Sequence, residues 1–279
     1  MAEASTRAPG RAPGLDGHEL VDCTLLVAED LPCWWSRHMP YQHKTFNYFE
    51  DRDAAAAPVR SRGGPYQTRW LLIDEHTGTH VDAPAHFLPP PGSGLPNAGP
   101  MGDVHADGIG LDQLMGAAAV IDVPADLPGG TPGVSPCIGP RVVTSWEETN
   151  GRLREGEIVL FRTGWDARYL TGDAGSGYVY DVLVTKTAAG WPAPDVDTME
   201  LLLERGVRCV GTDAPSMGSS HDGGPVHVTG LSGGAVYIEA LTGLDALPVR
   251  GAWFCFAPLK LRHGTGAPGR AFAFVPRER

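Results

Sequence analysis

Three histidines and one aspartate fall within eleven consecutive positions, His76, His80, Asp82 and His86 in the stretch His-Thr-Gly-Thr-His-Val-Asp-Ala-Pro-Ala-His. Imidazole and carboxylate together are the donor set of a catalytic zinc or manganese, which keeps a position open for water or substrate. The offsets from His76 to the other three are 4, 6 and 10, all even, so an extended backbone sends the four side chains out on one face. A helix would align His76 with His80 but turn Asp82 away, and Gly78, Thr79, Val81 and Pro84 are poor helix-interior residues. Taken singly, each of the four reads as a hydrogen-bonded structural group near a strand end. Taken together on one face they make an expensive core or a very polar surface, although Leu71-Leu72-Ile73 just before them reads as buried strand. The combination points to a metal or catalytic site.

An ion held by His76, His80 and Asp82 brings the pKa of bound water from about 16 to about 7, which supplies a nucleophile for an amide, lactam or ester carbonyl. A second metal-like pair lies downstream. Glu239 sits in the apolar run Ala235-Val236-Tyr237-Ile238-Glu239-Ala240-Leu241, where an ionised carboxylate needs a cation or a donor; an arginine is the alternative to a metal. His227 lies twelve residues before it, with His221 as a competing candidate.

These residues need strands and helices to hold them. Residues 19–27 form a strand candidate that delivers Trp34 and Trp35 to a loop, where one of them plugs the core and the other lines a pocket. Residues 117–123 and 157–163 read as buried strands, 207–211 as a short strand leading to Thr212-Asp213, and 252–259 and 271–275 as two core strands. Helices are predicted over 143–153 and 196–206, the second ended by Gly206. Asp213 reads as a loop cap at a strand tip. Long segments at 38–69 and 88–107, polar and aromatic in the first, rich in Pro and Gly in the second, read as loops over the site, the first a lid or substrate loop with a structural cover as the alternative. Strands and helices alternate through long connections, which gives an α/β fold.

His-x-Gly-Thr-His-x-Asp-x-Pro-x-His-Phe resembles the signature of the metal-dependent cyclase and hydrolase family that includes bacterial kynurenine formamidase and isatin hydrolase. The segments Gly211-Thr212-Asp213-Ala214-Pro215-Ser216, His227 with Glu239, Ala257-Pro258-Leu259-Lys260-Leu261 and Gly269-Arg270-Ala271 fit the same resemblance, which runs from about Leu20 onward. It implies a single domain with the swivelling β/β/α architecture, a central mixed sheet flanked by helices. It implies that His227 and Glu239 complete a second metal site bridged by Asp82, and that His86 is the general acid/base. One or two divalent ions per chain are expected, zinc first and manganese second. Trp34, Trp35 and Phe87 are assigned to the substrate wall. The substrates implied are an arylformamide like N-formylkynurenine or a lactam like isatin. A lactone or ester hydrolase, or a cyclase of secondary metabolism, is the alternative, and a non-catalytic metal-dependent binding protein is the alternative of another class.

Composition narrows the remaining choices. A net charge of −11 and a pI near 5.3, without a dense Lys/Arg cluster, argue against nucleic-acid or anionic-membrane partners and leave a small molecule. The five cysteines form no C-x-x-C pair, which fits a reducing cytoplasm. No apolar run is long enough to span a membrane. The 279 residues suit one large domain over 18–279, after a flexible arm at 1–17 with too little apolar content to pack. A homodimer or homotetramer is the expected assembly.

Overall fold

The computed structural model describes residues 17–36, 38–52 and 61–277, so the expected N-terminal arm falls almost wholly outside the described residues. The strands are β1 (His18–Asp22), β2 (Gln42–Asn47), β3 (Asp51–Arg52), β4 (Ser61–Arg62), β5 (Thr68–Leu72), β6 (His80–Asp82), β7 (Met115–Asp122), β8 (Cys137–Ile138), β9 (Ile158–Arg162), β10 (Ala193–Pro194), β11 (Cys209–Thr212), β12 (Val236–Glu239), β13 (Arg250–Pro258) and β14 (Gly266–Pro276). The helices are α1 (Pro140–Asn150), α2 (Tyr180–Leu183), α3 (Val196–Glu204) and α4 (Gly224–Ser232).

The central sheet closes on itself. Its order runs β14-β13-β7-β9-β11-β12-β6 and returns to β14, with β1 added alongside β14. Strands β7, β9, β11 and β12 are parallel and the other pairings antiparallel, so the sheet is mixed as expected. β14 makes closure possible because it is long enough to pair with three neighbours, meeting β6 at Gly266–Pro268 and β1 from Phe272 to Pro276. A closed sheet has no free edge among its ring strands.

Alternation along the strands separates two apolar layers. Ala118, Val120, Ile158, Leu160, Val81, Val236 and Ile238 point inward with Phe254 and Phe256 from β13. Ala119, Ile121, Val159, Phe161, Val210 and Tyr237 point outward, where α1, α3 and α4 cover them with Val143, Trp146, Met199, Leu202, Val226 and Leu231. Both faces are apolar, which explains why these strands read as near-continuous hydrophobic runs. α1 begins at Pro140, three residues before the predicted start, because a proline is favoured in the first turn, and it stops at Gly151, whose φ of +82 ends the helix. α3 is capped by Asp195, which accepts from Thr198 N, and Gly206 follows it at φ +80.

Two expectations need correction. Leu71-Leu72-Ile73 belongs to a strand and its exit but is not buried: among the described residues β5 pairs only with β2, in a two-stranded hairpin outside the ring, and Leu71 is 56% exposed. The four residues at even spacing do not lie on one strand either. Only His80–Asp82 is extended; Gly78 turns at φ +62 before it, and Pro84 opens a 3₁₀ turn that carries His86 after it.

Candidate metal centre

β6 alternates across the sheet, so Val81 enters the ring interior while His80 and Asp82 face outward together. The antiparallel register with β12 sets Glu239 directly opposite His80. His227 reaches the same spot from α4, and the turn before β6 folds His76 back over Asp82. The chain thus brings together His76, His80 and Asp82 in one group and Asp82, His227 and Glu239 in another. Asp82 serves both. Its Oδ1 lies 2.8 Å from His76 Nδ1 and 3.4 Å from His80 Nε2, and its Oδ2 lies 3.4 Å from His227 Nε2. Glu239 lies 3.5 Å from His80 Nε2 and 3.3 Å from His227 Nε2.

The donor chemistry of this cluster fits a divalent cation. His80 Nδ1 donates to Gly78 O at 2.8 Å and His227 Nδ1 donates to Gly223 O at 2.7 Å, which turns the Nε2 atom of each ring toward two carboxylates. Asp82 and Glu239 are 1% and 4% exposed, and among the described residues no lysine or arginine pairs with either. Two buried carboxylates need positive charge beside them. Burial opposes charge on His80 and His227, yet the hydrogen bonds to Asp82 and Glu239 outweigh it and lift both rings to about 10. The same balance acts on the acids: burial pushes Asp82 up, but His86 and His76 hold it well below the usual carboxylate range. Where protons stand, a cation can stand in their place.

His86 differs from the ligand rings. Burial drives it down to about 4 against the pull of Asp82, so it is neutral above that pH. Its ring leans on His76 with centroids 4.0 Å apart, and it lines a cavity of about 200 Å³ together with Trp35, His38, Phe87, Ser216 and the ligand cluster. Phe87 stacks on His227 at 4.1 Å. Trp35 faces this cavity and packs edge-on against Trp191. Trp34 does not line it; it borders a narrower recess behind Trp35. His221 is exposed and accepts from Ser135 N, joining neither ligand group. No residue of 88–107 lines the cavity, and among the described residues of 38–69 only His38 does.

Further residues hold the cluster in place. Met217 N donates to Glu239 Oε1 at 2.6 Å, and Ser216 Oγ does so at 3.3 Å, which is how the Gly-Thr-Asp-Ala-Pro-Ser strand tip meets the site. Asp213 itself is a cap, accepting from Thr163 N and Gly164 N; burial pushes its carboxyl up to about 6 against those donors. Glu75 accepts from Thr265 N and Oγ1, fastening the His76 turn to the start of β14. Gly266 leaves room for the His76 ring, since a Cβ there would sit 2.5 Å from His76 Cε1 and 2.9 Å from Val81 O. Ala240, next to Glu239, turns at φ +57.

Fold and donor set together define a metal-dependent enzyme of hydrolase type. The family model described as "Putative cyclase" matches residues 21–219, and the chain belongs to that cyclase family. It is 29% identical to an isatin hydrolase from Roseibium aggregatum, over 93% of this chain and 92% of the relative. It is 32% identical to a kynurenine formamidase from Salinibacter ruber, over 72% of this chain and 76% of the relative. The crystal structure of an isatin hydrolase bound to the product analogue thioisatinate superposes with a TM-score of 0.75 at 26% identity, covering 94% of both chains.

Proposed function

We propose that the protein hydrolyses an amide or lactam bond in a small, aryl-bearing substrate at a divalent metal centre held by His76, His80, Asp82, His227 and Glu239. The observation that carries this reading is a cavity-facing imidazole, His86, packed against a buried cluster in which the Nε2 atoms of His80 and His227 converge on two carboxylates. A pure binding site has no use for an unliganded base beside its ion; a hydrolase does. When bound, the metal supplies Lewis acidity and an activated water at neutral pH.

The protein's own groups do the rest. His86 takes a proton from the attacking water on an imidazole nitrogen and returns it to the leaving nitrogen. Asp82, with one oxygen toward each ligand group, is the residue suited to bridge two ions, and zinc is the first choice with manganese second. Met217 N and Ser216 Oγ hold Glu239 in place. Trp35 and Phe87 present flat apolar walls that orient a planar ring and exclude water. The names of the isatin hydrolase and kynurenine formamidase relatives support lactams and aryl formamides as the substrate classes.

The test is elemental analysis of the purified protein combined with rates on isatin and a panel of aryl formamides, with and without added zinc or manganese. Close to two ions per chain and metal-dependent turnover are expected. Full activity with less than half an ion per chain would sink the metal mechanism, and a firm stoichiometry of one would remove the bridging role of Asp82.

A further inference from the structure

Outside the two ligand groups, three side chains with polar atoms line the catalytic cavity: His38, His86 and Ser216. Ser216 is committed, since its Oγ donates to Glu239 Oε1 and accepts from Gly218 N. His86 has the proton transfer. His38 has no part in the reaction as derived so far, although the protein holds it with care. Its backbone N donates to Trp35 O at 2.9 Å, so two cavity-lining side chains leave one short segment. Its Nδ1 lies 3.2 Å from Asp74 Oδ1, the same oxygen that accepts from His76 N at 2.9 Å. A carboxylate only accepts, so Nδ1 carries a proton, and in the neutral ring Nε2 presents a lone pair. Among the described residues Nε2 has no hydrogen-bond partner, and the side chain is 35% exposed, open to a molecule in the cavity. The ring stands edge-on to His76 with centroids 6.1 Å apart, close enough for one small substrate to touch both it and the ligand cluster.

We propose that His38 is a specificity-determining residue whose Nε2 accepts a hydrogen bond from the N–H of the scissile amide or lactam, so that the site selects secondary amides and lactams over their N-alkylated counterparts. This deepens the reading of the protein as an aryl amide or lactam hydrolase and rests on it. The carbonyl oxygen of such a substrate is an acceptor and belongs beside the ligand cluster; its N–H is a donor and needs an acceptor once the cavity has taken it from water. Trp35, Phe87 and Pro215 offer none from their side chains, and the carboxylates of the cluster face its histidines. Asp74 fixes which ring nitrogen of His38 carries the proton, and thereby makes the cavity-lining imidazole an acceptor. A site built around a substrate N–H rejects the analogue that lacks it, because the acceptor is then left unpaired.

The experiment compares wild type with His38→Phe on isatin and N-methylisatin, a pair whose ring locks the amide geometry and leaves the N–H as the variable. Wild type is expected to favour the N–H compound by about 10-fold or more in kcat/KM, and His38→Phe to reduce that preference by about 10-fold. Phenylalanine keeps a flat ring of similar bulk, so exclusion of the methyl group by size alone would survive the substitution and the loss of the acceptor would not. His38→Leu should behave like His38→Phe, and it carries the test if the first variant does not fold. Metal content is the second readout. Asp74 retains the His76 amide in both variants, so elemental analysis should find the wild-type stoichiometry. A preference unchanged in the variants, a wild type without any preference, or a preference lost together with the metal overturns the proposal, the last because His38 would then act only through the His76 turn. Should wild type turn over neither compound, the hydrolase reading fails first; the same ratio, read as dissociation constants from quenching of tryptophan fluorescence, then decides the role of His38 by the same criterion.

Discussion

The ligand cluster and the β2–β5 hairpin are close in sequence and opposite in construction. His80, Asp82 and Glu239 are at most 4% exposed and sit on ring strands whose register is fixed on both sides. Among the described residues the strands of the hairpin pair only with each other, and Phe46, Tyr66, Trp70 and Leu71 stand 44–63% exposed on it. One region has its geometry imposed by pairing and packing, so a small change there is felt at once. The other has one ladder and a tie to Glu29, which accepts from His43 N and Lys44 Nζ, and a two-stranded hairpin has little stability of its own. Reaction chemistry therefore belongs to the first region, and a role for the second has to be demonstrated by function.

The largest effect is expected from Asp82→Asn, which weakens both ligand groups together: metal content should fall to trace and turnover below detection, by elemental analysis and steady-state rates. His80→Ala should empty the group it shares with His76. A fully loaded, active Asp82→Asn protein would break the distinction between the two regions. Next comes His86→Ala, which should keep metal and fold while lowering kcat by roughly 10²–10⁴-fold. If it lost the metal while remaining folded, His86 would be a ligand and the proton shuttle would lie elsewhere.

Gly266→Ala tests whether a backbone position can disturb a ligand it never bonds. Its Cβ would press on His76 Cε1 and the Val81 carbonyl, so metal affinity measured by chelator competition should drop by roughly 10–100-fold, the size usual for groups that orient a ligand. Trp35→Ala should raise KM by about 10-fold with a smaller change in kcat, because stacking acts alike on ground and transition states. At the small end, Phe46→Ser and Trp70→Ser on the hairpin should change kcat/KM little and stability by about 0.5 kcal/mol or less. A fall in kcat/KM with unchanged melting would bring the hairpin into the site after all, as the lid that its aromatic composition suggests.

The sequence made the members of the cluster legible because several imidazoles and carboxylates stand at close spacing in it, and because Glu239 stands in an otherwise apolar strand. It misled on their geometry. Even spacing suggested one extended face, but the turn at Gly78 and the 3₁₀ turn at Pro84 bend the segment twice, so His76 and His86 return from opposite ends of a three-residue strand and their rings meet 4.0 Å apart. His227 was found without its helix, since α4 contains two glycines and a proline and gives no amphipathic pattern. Gly266 and the Met217 amide left no trace at all. Their contribution is a missing Cβ and a backbone N–H, and neither has a side chain to read.

Ring closure also fixes when this protein can acquire its activity. The strand that seals the sheet is the last one made, and Gly266–Pro268 must pair with His80–Asp82, nearly two hundred residues upstream. During synthesis the histidine-rich turn emerges early and stays without Glu239, without the Thr265 clamp on Glu75, and beside an open strand edge until almost the whole chain has left the ribosome. Such long-range pairing is slow, and unpaired edges aggregate. A chain cut short before β14 is therefore expected to be both metal-poor and aggregation-prone, and the finished enzyme to gain its metal affinity and its resistance to aggregation in the same final step.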